Sequence, residues 1–226
     1  IRDSFFVKNN PTTGTNIRPT KEAFTETNRM DFQTYLNWKK TFAEDHNIDV
    51  VAGYDYMKDK NNSIDARVQG AASDKIPTLN VGTSNITNYP TSTRTDEVLI
   101  SYFGRVNYNF REKYLLSFTM RADGSSKFAA GNRWGYFPAA SAGWIVDEEA
   151  FWPRNKVVSS LKLRASYGLT GNNGIGLYDT YGSYNSAYQY NGMSTTTTGE
   201  MPNSNLTWES TTQVNACLLY TSDAAD

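Results

Sequence analysis

An alternation of apolar and polar side chains runs through residues 100–110. Positions of one parity are apolar: Ile100, Tyr102, Val106, Tyr108 and Phe110. Positions of the other parity are polar, with Phe103 as the exception: Ser101, Arg105, Asn107 and Asn109. A period of two residues is typical of a β-strand with one apolar and one solvated face. The stretch therefore predicts a half-exposed strand of about ten residues.

The same period returns after the short turn 111–113. Apolar positions are Tyr114, Leu116, Phe118 and Met120. Polar positions are Ser117, Thr119, Arg121 and Asp123, with Leu115 as the exception. Further alternating segments predict strands at 1–8, 30–42, 47–57, within 135–147, at 161–170 and at 206–216. The chain is therefore predicted to be all-β, with about eight antiparallel strands.

The connections between these strands fall into two length classes. If consecutive strands are antiparallel, the connections 43–46, 111–113 and 147–160 lie at one end. The connections at the other end are longer throughout: 9–28, 58–97, 124–134 and 171–205. Bacterial outer-membrane barrels have short periplasmic turns and longer extracellular loops. This asymmetry predicts an antiparallel transmembrane β-barrel whose short turns face the periplasm.

Cationic and aromatic residues agree with that fold. The cations Arg105, Arg121, Lys162 and Arg164 lie on the polar parity, and a cation facing lipid at mid-bilayer costs about 2–4 kcal/mol. Aromatic residues stand near predicted strand ends, where a barrel has its interfacial girdles: Tyr108, Phe110, Tyr114, Trp134, Tyr136 and Trp144. Two alternatives stay open, a soluble or surface β-sandwich adhesin or binding module and a small closed outer-membrane barrel.

Four blocks of sequence resemble one family of membrane proteins. They are residues 101–108 (SYFGRVNY), 121–128 (RADGSSKF), 132–138 (NRWGYFP) and 161–172 (LKLRASYGLTGN). They resemble the SusC/RagA family of TonB-dependent outer-membrane transporters of Bacteroidetes. The resemblance implies a multi-pass protein of the bacterial outer membrane, of whose larger barrel this chain supplies roughly a third of the strands.

Composition sets the remaining bounds. The chain has 226 residues, a formal net charge of −1, 38% hydrophobic residues and 15 tyrosines, which suits β structure solvated on one side. Balanced charge argues against a nucleic-acid partner. The chain contains no run of about 18 apolar residues, so the sequence predicts no transmembrane helix. Since the chain begins with neither Met nor a signal peptide, we expect an internal piece of a longer protein.

The sequence gives little support to catalysis. His46 is the only histidine, and no Ser/His/Asp or Cys/His set can be built around it. The acidic run 147–149 fits the solvated start of a short helical turn. The segment 171–176 (GNNGIG) lacks the Lys-Ser/Thr of a phosphate loop, and Cys217 alone is not a metal site. We predict no enzyme, no catalytic residue, no metal site and no cofactor.

The tyrosine-rich connection 171–205 is the candidate binding region. Flat aromatic rings beside amide groups suit stacking on, and hydrogen bonding to, sugars or peptides. The candidate ligand contacts are Tyr184, Tyr188, Gln189 and Tyr190, and ordinary loop packing or partner contact is the competing interpretation. The resemblance implies import of oligosaccharides or peptides, a SusD-like lipoprotein on the extracellular loops, and TonB acting through a plug domain absent from this chain.

Residues 217–226 depart from the family pattern. A family strand of this kind usually continues past Asn215 with Gly-Leu and an acidic residue, whereas this chain continues as CLLYTSDAAD. The tail breaks the alternation and resembles translated sequencing-adapter sequence. We therefore predict that residues 1–216 are a partial receptor barrel and that residues 217–226 are a non-native tail.

Overall fold

Strands make up most of the structure. The computed structural model describes residues 2–6, 20–70, 75–76, 78–81, 90–152 and 158–221, with the backbone alone for residues 2–6, 81, 187–189 and 194. The strands are β1 (Arg2–Phe6), β2 (Thr20–Phe42), β3 (His46–Val68), β4 (Thr91–Phe110), β5 (Tyr114–Ser125), β6 (Trp134–Ile145), β7 (Ser160–Asn172), β8 (Tyr184–Tyr190), β9 (Met193–Thr198) and β10 (Glu209–Thr221). In the described ranges the helical elements are two 3-10 turns, Leu79–Val81 and Val146–Glu148.

The main sheet is a meander. Eight strands form it in the order β1-β2-β3-β4-β5-β6-β7-β10, and β8 and β9 form a separate two-stranded sheet. The pairs β4–β5, β5–β6, β6–β7 and β7–β10 are antiparallel. Consecutive strands are neighbours except where the β8–β9 hairpin intervenes, which is the up-and-down topology of a barrel wall. No helix in the described ranges has the length and apolar character needed to cross a bilayer.

Contacts divide the chain into two compact units. Unit 1 comprises residues 1–30 and 58–97, and unit 2 comprises residues 31–57 and 98–226. In unit 1, charged side chains pair between strand segments: Lys21 Nζ lies 2.6 Å from Asp65, and Arg29 donates to both oxygens of Asp59 at 2.7 and 2.6 Å. Opposite charges paired across strands contribute about 0.2–1 kcal/mol each. Ion pairs therefore link these strand segments.

Two predicted connections are consequently wrong in part. Residues 20–28 belong to β2, residues 58–68 to β3, and residues 91–97 to β4. Hydrophobic alternation is weak in most of these residues, because polar and charged side chains make many of their cross-strand contacts. Residues 9–19 of the predicted connection 9–28 lie outside the described residues.

The last part of the chain also differs from the prediction. Strand β10 runs from Glu209 to Thr221 rather than from Leu206 to Ala216. The predicted loop 171–205 contains the β8–β9 hairpin, whose turn residues Asn191 and Gly192 have φ angles of 49° and 76°. An Asn-Gly pair with both φ angles positive is the usual two-residue hairpin turn. The origin of residues 217–226 stays a prediction.

Register places side chains of like character opposite one another in unit 2. One apolar row crosses five strands: Val106, Phe118, Ala140, Tyr167 and Val214. The adjacent row does the same: Tyr108, Leu116, Ala142, Ala165 and Ala216. These two rows define the apolar face. Phe118 and Val214 remain 52% and 73% exposed, whereas a β-sandwich buries such a face against a second sheet.

Aromatic rings border the apolar face at both ends, as predicted. At the short-turn end the rings of His46, Phe110, Tyr114 and Trp144 follow one another at centroid distances of 4.7, 6.1 and 6.5 Å. At the other end Tyr102 lies 5.3 Å from Tyr54 and 5.9 Å from Trp134. The rise from Tyr102 to Phe110 is about 27 Å along β4, or about 20 Å along a barrel axis at the strand tilt usual in barrels.

Two tight turns close hairpins at the short-turn end. Residues 111–113 follow β4, as the sequence predicted, and residues 43–45 follow β2, one residue shorter than the predicted turn 43–46 because His46 begins β3. Their first two residues have positive φ angles without being glycine: 46° and 63° at Ala43 and Glu44, and 52° and 59° at Arg111 and Glu112. The left-handed conformation costs about 1–2 kcal/mol for such residues. Pairing of the flanking strands holds the chain in it.

Acid should weaken the short-turn end through Glu149. The Tyr114 hydroxyl donates to its carboxylate at 2.6 Å and the Trp144 indole at 3.2 Å, and these bonds lower the pKa of Glu149. A lowered pKa in the folded state adds stability above the unfolded pKa of about 4.3, and this stability is lost as the pH falls through the folded pKa. In urea unfolding of the full-length protein, Glu149→Gln should lower the midpoint at pH 7 but have a smaller effect below pH about 4. An equal effect at both pH values would contradict this role.

Candidate functional site

The opposite surface of unit 2 carries a polar row. Its residues lie directly opposite one another on β4, β5, β6, β7 and β10: Asn107, Ser117, Ser141, Ser166 and Asn215. Ser117 Oγ donates to Asn107 Oδ1 at 2.7 Å. We call this surface the polar wall. It comprises this row and the polar residues beside it: Arg105, Thr119, Lys162, Arg164 and Gln213.

Two adjoining depressions lie along the polar wall. Their volumes are about 540 and 520 Å³. They share Asn107, Ser117, Ser141 and Arg164. The serine side chains of the row are short and leave the depressions open. The volumes of the depressions fall in the range of small-molecule sites. The wall therefore offers hydroxyl, amide and guanidinium groups to a molecule lying against it.

The cations of unit 2 differ in their partners. Lys39 pairs with Asp49 at 3.4 Å, and Arg121 Nε lies 2.8 Å from Asp123. Arg105 Nε donates to the hydroxyl of Thr119 at 3.3 Å. Across residues 20–70, 90–152 and 158–221, no carboxylate forms an ion pair with Arg105, Lys162 or Arg164. The polar wall therefore carries uncompensated positive charge from the described residues.

Glycines make room for the aromatic rings on the polar side. A Cβ built on Gly53 would overlap the ring of Phe103, which was the exception to the predicted alternation. A Cβ on Gly171 would likewise overlap the ring of Phe137. The tip of each ring thus occupies the space that a side chain on the glycine would fill. An apolar residue on the polar parity is tolerated because a glycine opposite it accepts the ring.

A buried aromatic cluster lies at the long-connection end. Its members are Phe128, Phe137 and Trp208, with ring centroids 5.3 Å apart for Phe128–Trp208 and 5.4 Å apart for Phe137–Trp208. Phe128 is fully buried. Trp208 was predicted as a strand residue, but it precedes β10 and its ring packs into the cluster. The cluster joins the β5–β6 connection to the segment before β10.

Polar contacts fix the two long connections to each other. The buried Thr180 hydroxyl donates to the carbonyl of Lys127 at 3.0 Å. The Asn173 amide donates to Ser125 Oγ at 3.4 Å. Nearby, Arg121 is held by Asp123 and donates to the buried Ser101 hydroxyl at 2.9 Å. The family block 121–128 therefore serves as a support for residues 173–181.

Arg133 connects the aromatic cluster to Tyr181. Its Nε donates to the carbonyl of Phe128 at 3.2 Å, and its guanidinium donates to the Tyr181 hydroxyl at 3.4 Å. Its own carbonyl accepts from the indole of Trp208 at 2.9 Å. The rings of Tyr178 and Tyr181 remain 49% and 53% exposed. Sequence reasoning missed Arg133, because the side chains that surround it come from three separate segments.

The predicted ligand contacts lie on the β8–β9 hairpin. Tyr184 and Tyr190 are on β8 and are 76% and 77% exposed. The backbones of Tyr188 and Gln189 pair with Thr195 and Ser194, whereas their side chains lie outside the described part of the structure. The two described tyrosines belong to the same strand, but the hairpin ladder alone does not show a ligand role for them.

The remaining polar residues have structural contacts. His46 Nδ1 lies 2.7 Å from the Tyr108 hydroxyl. Asp147 Oδ1 accepts from the Leu161 amide at 2.9 Å and so joins the 3-10 turn to β7. Cys217 is exposed on β10. Among the described residues no three His, Cys, Asp or Glu side chains are grouped as metal ligands would be.

One known protein family matches nearly the whole chain. The profile of the family described as TonB dependent receptor-like, beta-barrel, matches residues 2–224. The chain belongs to this family. It is 34% identical over 189 residues to TonB-dependent receptor P3 of Formosa agariphila, and 44% identical over 135 residues to TonB-dependent receptor SusC of Bacteroides thetaiotaomicron. The predicted resemblance to the SusC/RagA transporters is confirmed.

Solved structures agree with this receptor-barrel assignment. The RagAB peptide transporter superposes with a TM-score of 0.87 at 26% identity, covering 96% of this chain and 24% of that chain. The RagAB peptide importer in its 'closed-closed' state gives a TM-score of 0.88 at 26% identity. The aligned regions cover 81% of this chain and 18% of receptor P3, and 57% of this chain and 14% of SusC. The chain thus spans a minor part of the relatives it matches.

Filling the space above Gly171 should loosen the aromatic cluster. In the full-length receptor, Gly171→Ala should displace Phe137 from Trp208 and destabilise the protein by about 1–3 kcal/mol. Urea unfolding followed by tryptophan fluorescence measures this change. Gly131→Ala is the matched control, because no heavy atom lies within 4 Å of the added Cβ; its effect should stay within about 0.5 kcal/mol. Equal effects of the two substitutions would refute the packing role.

Proposed function

We propose that this chain forms part of the barrel wall of a TonB-dependent importer in the bacterial outer membrane, where it serves nutrient uptake. The observation that carries the proposal is the register of unit 2. Apolar rows and the polar row each cross five strands, so one surface suits lipid and the other suits water. In this arrangement the apolar face contacts outer-membrane lipid and the polar wall lines the lumen.

The two aromatic bands support the same orientation. Their separation of about 20 Å along the normal is close to the apolar band of about 25 Å in outer-membrane barrels. Tyrosine and tryptophan favour the membrane interface, since each has an apolar ring and a polar group. The short turns 43–45 and 111–113 then face the periplasm, and the long connections face the outside.

The cargo of the whole receptor is an oligosaccharide or a peptide, and the receptor has no enzymatic role. The names of the relatives support this class, since one is SusC and the solved RagAB complexes are a peptide transporter and importer. A SusD-like lipoprotein docks on the extracellular loops, and TonB acts through a plug domain outside this chain. Tyr184, Tyr188, Gln189 and Tyr190 stay a candidate contact set on the β8–β9 hairpin.

The two alternatives fit less well. A β-sandwich adhesin would leave no reason for an apolar face that is half exposed across five strands. A small closed barrel would match relatives of similar length, whereas the aligned part is only 18% of receptor P3.

Deleting the complete gene tests the proposed importer. The deletion strain should lose growth on one class of oligosaccharide or peptide supplied as the sole carbon source, because such molecules are too large for ordinary porins. Growth on the corresponding monomers is the control. A second strain without TonB should show the same loss. Unchanged growth of the deletion strain across both classes would overturn the importer.

A matched pair of arginine substitutions tests the membrane orientation. Phe118 lies on the apolar face midway between the two aromatic bands, and the adjacent Ser117 lies in the polar row. Phe118→Arg should cost about 2–4 kcal/mol at mid-bilayer, and Ser117→Arg about 1 kcal/mol or less. Urea titration of the full-length receptor folded into liposomes measures both, with heat-modifiable gel mobility as the assay of folding. An equal cost for the two would show that the apolar face does not contact lipid.

A further inference from the structure

We propose that the cargo of this receptor is an anionic oligosaccharide, bound first by Arg133 and Tyr181 and then by the cations of the polar wall. The inference rests on the proposed function and names the substrate class within it. Three observations carry it: a fixed guanidinium beside exposed tyrosine rings, uncompensated cations on the wall, and the hydroxyl and amide groups between them.

Arg133 is held in place by groups that leave part of its guanidinium available. One of its nitrogens, Nε, is taken by the Phe128 carbonyl, and another contacts the Tyr181 hydroxyl. A guanidinium has five N–H donors, so further donors remain for a ligand. Fixing the side chain before binding lowers the entropy lost on binding. A planar fork of this kind matches a carboxylate or a sulfate.

Tyr178 and Tyr181 supply aromatic surface beside this cation. The backbone amide of Tyr181 donates to the carbonyl of Tyr178 at 2.9 Å, so the two residues belong to one tight turn. The preceding Thr180 is anchored to Lys127. About half of each ring is exposed, and an exposed ring on a rigid backbone suits stacking against a sugar ring. The hairpin tyrosines Tyr184 and Tyr190 are more exposed and lack such an anchor on another segment in the described structure.

The polar wall continues the same chemistry. Arg105 and Arg164 line one depression, and Lys162 and Arg164 line the other. No carboxylate of the described strands neutralises these three cations, while Lys39 and Arg121 are both paired. Rows of Arg and Lys select anions in pores. Ser117, Ser141 and Asn107 lie between the cations and can bond sugar hydroxyls.

Two matched pairs of oligomers distinguish the contribution of negative charge to binding from that of the sugar ring. Hexagalacturonate and its fully methyl-esterified form have the same ring and length but differ in carboxylate charge, and hexaglutamate and hexaglutamine form the equivalent peptide pair. Isothermal titration of the purified full-length receptor in detergent should show binding of hexagalacturonate, with at least about tenfold weaker binding of its ester. Hexaglutamate should bind weakly, because it offers no sugar ring to the tyrosines.

Variants assign the binding to the named residues. Arg133→Gln and the double change Arg105→Gln, Arg164→Gln should each weaken hexagalacturonate binding about tenfold, and Tyr181→Ala should weaken it as well. Arg133→Lys keeps the charge without the fork and should recover part of the loss. Arg111→Gln removes a cation of the turn 111–113 that pairs with Asp45, and Tyr136→Ala removes an exposed ring of the apolar parity; both should bind as the unchanged receptor does. Heat-modifiable gel mobility checks that each variant folds.

Each outcome decides between the proposals. Equal binding of the acid and its ester, or no binding of hexagalacturonate, would overturn the anionic cargo. Preference for hexaglutamate would overturn the oligosaccharide and leave an acidic peptide. Full binding by the Arg133 and wall variants would place the anion elsewhere. In all these cases the proposed import function is still supported if gene deletion abolishes growth on some oligosaccharide or peptide. The deletion experiment therefore tests the import function separately from the anionic cargo.

Discussion

The register between strands is the constraint on which unit 2 depends. Because side chains alternate with a period of two, a slip of one residue between neighbours would exchange the apolar face and the polar wall. Direct opposition of Val106, Phe118, Ala140, Tyr167 and Val214 keeps the apolar surface continuous across β4, β5, β6, β7 and β10. In the proposed membrane orientation, a slipped strand would interrupt the surface that contacts lipid.

The long-connection end follows a different physical rule. There the chain buries side chains on the polar side, through the cluster of Phe128, Phe137 and Trp208. Gly171 leaves room for the Phe137 ring, and buried hydroxyls of Ser101 and Thr180 are satisfied by Arg121 and by the Lys127 carbonyl. This small core converts two long connections into one support. Arg133 and Tyr181 owe their fixed position to it.

Sequence reasoning succeeded where hydrophobicity carried the pattern. It predicted the two hairpins around 43–46 and 111–113, the strands from 100 to 123, and the side on which Arg105, Lys162 and Arg164 lie. It failed in residues 20–28 and 58–68, because most of their side chains are polar or charged and ion pairs such as Lys21–Asp65 link the strands there. It also overlooked the Asn191–Gly192 turn inside a segment taken as loop, although that dipeptide is a recognised hairpin signal.

The sequence by itself determined the all-β class, the two faces of the sheet and the family, since each depends on local order along the chain. Only the tertiary structure decided which side chains meet. The aromatic cluster joins residues 128, 137 and 208, and Arg133 reaches a tyrosine 48 positions away. Contacts of that kind depend on how connections fold back over a sheet, and no local periodicity encodes them. Packing between distant segments therefore determines the candidate site around Arg133, whereas the alternation of side chains along each strand determines the polar wall.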